Sequence, residues 1–574
     1  MTPQQRFPAA FILFLTITVF VRLLNAGEVY LVIGSDTAIW DGMNVSRFHC
    51  TYNPDLYLNP DRNAYRVMEP EFRSGMVDSY GQPMKLTWWM MAGNIFRYAT
   101  NTNIPVPNIM TLYLMKKYHG DNIRLNGDEL TLHYHTFVWT DYDQNGIYFW
   151  NQAKSFLESL DDFNVTLAQF LIEEHVFPVS FRSGWHYMDN DWQHYLDERV
   201  LPFSMHNDYP AKRTEDPEPI DNIYDWSQAP SAFVPYHPSG ANYQIPGDGP
   251  GWQVRSAHFW KARVNDYMDS VFIAAQNGGD QVVCFWGHLP ENDFLDNLQV
   301  MNERAHQCEQ KYPGVKFRYC TAIEAMQRWL KNTDAAAPNL QFTDEQDEDE
   351  LYFHVESDKE IFQQQPFVAV KTIYEEYQVL DCQLVSENHW RTIRPVSRAM
   401  VAKAAVTACD SLGNQAMEFI DYLPDDCFID NGDEGYQELA GNWGTSSAFS
   451  WGNDSRVAQL QPEDTALVSW NYRVPRSAAY NVFVQFPDIS NRATRFRYRV
   501  RLNEQNQDTV AANDEWQPNR WYYLATVQVE QDDRLSVVLS ASGQTQPYKL
   551  LPADVVRITP LVREKDIDIP SQMI

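Results

Sequence analysis

"SAHFWKARVNDYMDSVFIAAQNGG" (residues 256–279), "QVVCFWGH" (281–288), "DFLDNLQVMNERAHQCEQKY" (293–312) and "VKFRYC" (315–320) follow one another with short breaks. The first has apolar residues at helical spacing and stops at paired glycines. The second is a short apolar run of the kind that forms a strand buried on both faces. The third is again helical and the fourth again strand-like. Alternation of this kind argues for a parallel sheet, because parallel neighbours need long crossovers. The same rhythm runs upstream. "EVYLVIGSD" (28–36) and "KLTWWMMAG" (85–93) read as strands, and "NIMTLYLMKKYHG" (108–120) as a helix stopped by Gly120. "ELTLHYHTFVW" (129–139) alternates with period two, "NVTLAQFLIEEHV" (164–176) is helical, and "FPVSFRSG" (177–184) is extended. Thr321 and Glu324 have the spacing of a capping box. A β/α barrel over residues 27–333 fits this length and order.

The pattern changes after Asn332. "TDEQDEDE" (343–350) reads as a solvated linker or loop. Short strand-like runs follow, "ELYFHVES", "PFVAVKTIY", "YQVLDCQLV" and "MVAKAAVTACDS", and predict a small β-sandwich over 334–424. From Cys427 the chain is again all strands, "TALVSWNYRV", "AAYNVFVQF", "TRFRYRVRL", "WYYLATVQV", "RLSVVLSA" and "ADVVRITPL", which predicts a second sandwich over 425–565. The fold class is therefore multidomain: an α/β barrel followed by two all-β sandwiches. A length of 574 residues agrees with this, at about 150 residues per domain.

The chain carries 45 Lys and Arg against 76 Asp and Glu, a formal charge of −31. Such a surface repels phosphates and excludes nucleic acid as an expected partner. Residues 1–26 resemble a signal peptide: Arg6, then "AAFILFLTITVFV", then Ala26 at a small-residue cleavage position. The run is shorter than the ~20 residues that span a bilayer. The expectation is a secreted, periplasmic or cell-surface protein, with this segment either cleaved or kept as an anchor, and no membrane span beyond it. Of seven cysteines, Cys308 with Cys320 and Cys382 with Cys409 could bridge, but spacing assigns neither pair.

In a β/α barrel, functional groups sit where strands end. The polar residues at those ends are Asp36 and Asp41, His133 and His135, Arg182 with His186, Asp225, and His288. His133 and His135 share one strand face. Two imidazoles and a carboxylate are the usual ligands of an open catalytic zinc site.

The ordered motifs "GSDTA" (34–38), "GDELTLHYHTF" (127–137), "FRSGW" (181–185), "YDW" (224–226) and "WGH" (286–288) resemble those of the polysaccharide deacetylase family, over roughly 28–330. The resemblance implies a distorted β/α barrel and a divalent metal, zinc, held by Asp36, His133 and His135. It also implies that Arg182 orients a carboxylate, that Asp225 tunes the late histidine, and that His288 is a general acid. Three departures stand out. One Asp replaces the family's pair, with Ser35 and Thr37 beside it. The family's second His falls at Phe137, and "FRSGW" lacks the proline. "FIDNGDEGYQELAGNWGTS" (428–446) and "NVFVQFPDISNRATRFRYRV" (481–500) resemble the golvesin C-terminal-like domain, akin to the carbohydrate-binding module of xanthan lyases, over about 426–562. The expectation is an enzyme or binding protein for an extracellular or cell-envelope polysaccharide, with Trp443, Trp451, Trp470 and Trp521 as candidate sugar-stacking residues. Two alternatives are a non-catalytic polysaccharide-binding protein on the same barrel, and a glycoside hydrolase or lyase using Asp36 with Asp225.

Overall fold

The structure is a computed structural model that describes residues 26–37, 44–46, 49–51, 55–98, 104–264, 266–332, 334–423, 426–512 and 515–561. The signal-like segment, apart from Ala26, and Asp41 lie outside them. Seven parallel strands close a barrel: β1 (Glu28–Thr37), β2 (Thr87–Ala92), β3 (Glu129–Tyr134), β4 (Ser180–Ser183), β5 (Phe203–Asn207), β6 (Trp252–His258) and β7 (Gln281–Gly287). They pair in that order, and β7 returns to β1 with Val29 opposite Gln281 and Ser35 opposite Gly287. An eighth strand, β8 (Lys316–Cys320), pairs with Glu28–Val32 of β1, while Gly34–Thr37 of β1 pairs with β2. The strands are close enough here to require glycine: a Cβ at Gly34 would lie 2.2 Å from the Thr87 carbonyl oxygen.

Helix α1 (Met110–Asn126) leads from β2 to β3, α2 (Leu160–Glu174) from β3 to β4, α3 (Tyr267–Asn277) from β6 to β7, and α4 (Phe294–Lys311) from β7 to β8. The β5–β6 connection carries paired short strands instead of a long helix. Helix α5 (Ala322–Trp329) follows β8 and opens on the capping box of Thr321 and Glu324. Strand alternation sorts the two layers. Val29, Leu31 and Ile33 pack outward among the helices, while Tyr30 and Val32 point inward with Met205, Val254 and Cys284.

Three sequence expectations are corrected. Residues 256–258 end strand β6 rather than opening a helix, because Val254, Ser256 and His258 continue its inward alternation. Helix α1 passes through Gly120 and stops at Gly127, whose φ of 67° lets its N–H bond the Arg124 and Ile123 carbonyls. An internal glycine costs only about 1 kcal/mol, and the buried His119 and Ile123 around it offset that. The acidic run 343–350 is no linker. Most of it belongs to strand Leu340–Asp347, paired along its whole length with Glu350–Ser357. It sits at the edge of its sheet, where exposed charge deters further pairing.

Strands between residues 340 and 421 form two antiparallel sheets around one core that includes Phe353, Val355, Val368 and Val406. Their inner neighbour is the barrel: Phe177 and Phe367 lie 4.7 Å apart, and Lys371 pairs with Glu173 at 2.8 Å. Strands between 427 and 560 form sheets of four, five and three strands around another core, which holds Trp443, Trp470, Tyr480 and Tyr498. No helix of the described residues is long and apolar enough to cross a membrane.

Cys284, Cys308, Cys320, Cys382, Cys409 and Cys427 are free thiols, and all but Cys427 are buried. The Cys308–Cys320 and Cys382–Cys409 bridges are therefore not formed. Burial pushes the thiols of Cys284, Cys308, Cys320, Cys382 and Cys409 up to about 12. Thiols so protonated are inert. Under native conditions a soluble maleimide should leave these five unlabelled, and all five should react in denaturant. Native labelling of any of the five would contradict the packing.

Candidate functional site at the barrel mouth

The inward alternation of five strands ends on a polar residue. β1 runs Tyr30, Val32, Gly34, Asp36; β3 runs Glu129, Thr131, His133 and on to His135; β4 gives Ser180 and Arg182; β6 gives Ser256 and His258; β7 leads through Cys284 and Trp286 to His288. These are the C-terminal ends of parallel strands, so the groups meet at one mouth.

At its centre lies a buried ion pair. Arg182 donates from Nε to Asp36 Oδ1 at 2.7 Å and from Nη2 to Oδ2 at 3.0 Å. Its Nη1 bonds the Met205 carbonyl at 2.7 Å and Ser256 Oγ at 3.1 Å. The guanidinium also lies 4.2 Å from the Trp286 ring centroid. Arg182 is 1% exposed and Asp36 2%. Burial alone would raise the Asp36 carboxyl, but Arg182 and His133 hold it well below the usual range.

His133 donates from Nδ1 to the Arg182 carbonyl at 2.9 Å, and its Nε2 meets Nε2 of His135 at 3.0 Å. Asp36 Oδ1 stands 3.8 Å from Nδ1, the opposite side of the ring. Burial pushes His133 down to about 4, and His135 well down, so both are neutral at physiological pH. His135 packs on Gly184, where a Cβ would lie 2.2 Å from the ring. The next two residues, Trp185 and His186, take φ of 53° and 58°, a strained left-handed backbone for such side chains.

Asp36, His133 and His135 are thus brought together, but not as ligands of one ion. Arg182 engages both carboxylate oxygens, and the carboxylate faces the histidine edge already bonded to a carbonyl. Two imidazole nitrogens remain, one short of the three protein ligands of an open zinc site. These residues do not fit that metal centre.

His288 stands beside a different carboxylate from the one expected. Its Nδ1 lies 2.9 Å from Glu291 Oε1, while His258 Nε2 is 3.8 Å from Oε2. Asp225 instead holds Lys212 at 2.8 Å and Ser227 at 2.6 Å, on the β5–β6 connection. Its neighbour Trp226 is buried and bonds the His186 carbonyl. Against the lift of burial, His288 and His258 keep Glu291 below its ordinary value, hence anionic. The donor atoms of His258, His288 and Glu291 lie within 4.8 Å of one another. Nδ1 of His258 accepts the Trp260 N–H, so its proton sits on Nε2 and faces Glu291, while His288 alone is hydrogen-bonded to that carboxylate. Asp141 and Asp143, on the loop after β3, gather as closely with Glu218 of the β5–β6 connection. Backbone N–H groups of residues 142, 143, 145 and 146 already bond these carboxylates.

Sequence reasoning does not single out His258, Glu291 or the Asp208–Lys261 pair beside His186. Period-two reading of "VRSAH" would have placed His258 inward. Glu291 is three residues past His288, a spacing that brings side chains together only once a turn is known.

Residues 427–560 match the family model of the Golvesin C-terminal domain. No curated protein matches the chain. Among solved structures, a Paenibacillus xanthan lyase is 13% identical with a TM-score of 0.24, over 39% of this chain and 25% of that enzyme. A family 35 carbohydrate binding module from Clostridium thermocellum is 14% identical with a TM-score of 0.18, over 23% of this chain and 98% of the module. The Podospora anserina GH26-CBM35 β-(1,4)-mannanase is 11% identical with a TM-score of 0.16, over 24% and 28%.

Proposed function

We propose that the protein acts outside the cytoplasm on a polysaccharide, with a hydrolytic acid–base site at the barrel mouth and a carbohydrate-holding C-terminal sandwich. The observation that carries the catalytic part is the Glu291–His288 pair beside the Arg182–Asp36 ion pair. Glu291 accepts the Nδ1 proton and leaves the lone pair of His288 on Nε2, the arrangement of a general base oriented by a carboxylate. Asp36, locked anionic by Arg182, stabilises positive charge developing on the imidazoles nearby. Removal of an acyl substituent from the polymer is the reaction class that the sequence motifs favour. The match of residues 427–560 to the Golvesin C-terminal domain supports a polymer-holding role for that part. Holding the chain there raises the effective substrate concentration at the mouth.

The test is release of acetate and of reducing ends from acetylated and plain polysaccharides. His288→Ala should lower turnover ~10²–10⁴-fold while polymer binding persists. If the unchanged protein binds polymer and releases neither product from any of them, the non-catalytic binding reading replaces this one. That second reading is favoured by one observation: both oxygens of Asp36 are already taken by Arg182.

A further inference from the structure

We propose that the cleft where barrel, middle sheets and C-terminal sandwich meet binds a short saccharide stretch free of acidic groups. This rests on the polysaccharide reading above and places the binding site between the units rather than on the sandwich alone. The cleft measures about 520 Å³, within the range of small-molecule sites. The barrel supplies Tyr113, Glu173 and Glu174 with the 105–106 segment, the middle sheets Lys371 and Glu375, and the sandwich an aromatic wall with Asp426 and Arg557.

The sandwich wall is aromatic. Phe428 and Trp451 stack at 4.8 Å and 8°, and Trp521 meets Trp451 at 5.3 Å and 68°. Sugar rings present C–H faces to such walls and hydroxyls to polar groups around them. The four candidate tryptophans separate here. Trp443 and Trp470 lie in the sandwich core, and their indole N–H groups bond the Ala440 and Asp554 carbonyls. Trp451 and Trp521 line the cleft, and the buried Nε1 of Trp451 has no hydrogen-bond partner among the described residues.

Charge narrows the ligand. The lining carries Glu173, Glu174, Glu375 and Asp426 against Lys371 and Arg557, and Lys116 pairs with Glu174 at 3.0 Å from outside it, which leaves four carboxylates to three cations. Those cations are engaged: Lys371 with Glu173 and Glu375, Arg557 with Asp426. An excess of carboxylates repels uronic acids, sulfates and phosphates and accepts hydroxyl or amino donors.

The experiment is calorimetric titration of the full chain with neutral gluco-, manno- and xylo-oligosaccharides, amino-sugar oligosaccharides and oligogalacturonate. Binding of at least one non-acidic saccharide and none of oligogalacturonate is expected. Trp521→Ala should weaken it about tenfold and Glu174→Gln several-fold. Trp139→Ala, an exposed aromatic on the barrel hairpin, should change nothing. Two variants guard against one that misfolds. If the full chain binds a saccharide and neither Trp521→Ala nor Glu174→Gln weakens it, the cleft is wrong while the polysaccharide reading stands. If no saccharide binds, both fall; preference for oligogalacturonate overturns the charge argument.

Discussion

Lys117→Met is expected to destabilise the protein by about 3–5 kcal/mol, the cost of breaking a buried ion pair by removing one partner. Lys117 lies on α1 of the barrel, yet its ammonium sits 2.9 Å from Asp430 and 3.6 Å from Asp433 of the C-terminal sandwich. Asp430 is 1% exposed, and Asp433 and Asp454 add to the negative field around it, while burial pushes the equally buried Asp554 carboxyl well up. Gly452 makes room: a Cβ there would lie 2.3 Å from the Asp430 carboxylate and 3.4 Å from the ammonium. Burial opposes the lysine charge, but Asp430 and the surrounding groups hold its pKa above the ordinary value. Burial also lifts Asp430, to about 7, with Lys117 pulling the other way.

Without that counter-pull Asp430 should rise further. Its folded pKa would then lie well above its unfolded value near 3.9. Such a group stabilises the folded state while it is protonated, and that stability is lost as pH rises toward the folded value. The variant's deficit should therefore be larger at pH 8 than at pH 5. Denaturant unfolding at both values measures it. Lys117→Met/Asp430→Asn should recover most of the loss, since the uncompensated carboxylate is gone. A deficit independent of pH, or no recovery in the double variant, would mean that packing of the lysine stem matters more than its charge.

The same pair explains what sequence could and could not reveal. Period-two and helical patterns place the barrel strands because each has one continuous inward and one outward face. Tyr30, Val32 and Asp36 are legible as one face from their alternation alone. Gly120 misled because a helix end depends on what packs at Ile123, not on the glycine alone. The acidic run 343–350 misled because an edge strand keeps its charges in water and so looks like a loop. Asp36, His133, His135, Arg182 and His288 were legible as strand ends. What each contacts was not: a guanidinium from β4 claims the carboxylate of β1, 146 residues away in the chain. Lys117 and Asp430 are 313 residues apart, and no local pattern links a mid-helix lysine to a sandwich loop.

Arg182→Met should cost a comparable 3–5 kcal/mol, and the reason is sharper because the site is drier. The side chain makes four hydrogen bonds, and both oxygens of Asp36 depend on it. In the parent, Asp36 has a folded pKa below its unfolded one. Its stabilisation is complete above pH ~4 and fades as pH falls through the folded value. In the variant burial acts unopposed except by neutral histidines, so the carboxyl moves above its unfolded value and stability falls as pH rises. The sign of the Asp36 contribution thus reverses, and the parent–variant gap should widen from pH 4 to pH 7. Arg182→Lys should not restore it, because one ammonium cannot bond both carboxylate oxygens, the Met205 carbonyl and Ser256 in the fixed fork geometry. Arg182→Met/Asp36→Asn should recover part, leaving the unpaired Met205 carbonyl and Ser256 hydroxyl as the residue of the cost. Differential unfolding of the four proteins across that pH range measures all of this. If the gap is the same at pH 4 and pH 7, Asp36 is not held anionic by Arg182. The carboxylate would then be free to serve as a ligand or base, and the exclusion of the three-residue zinc centre would fail with it.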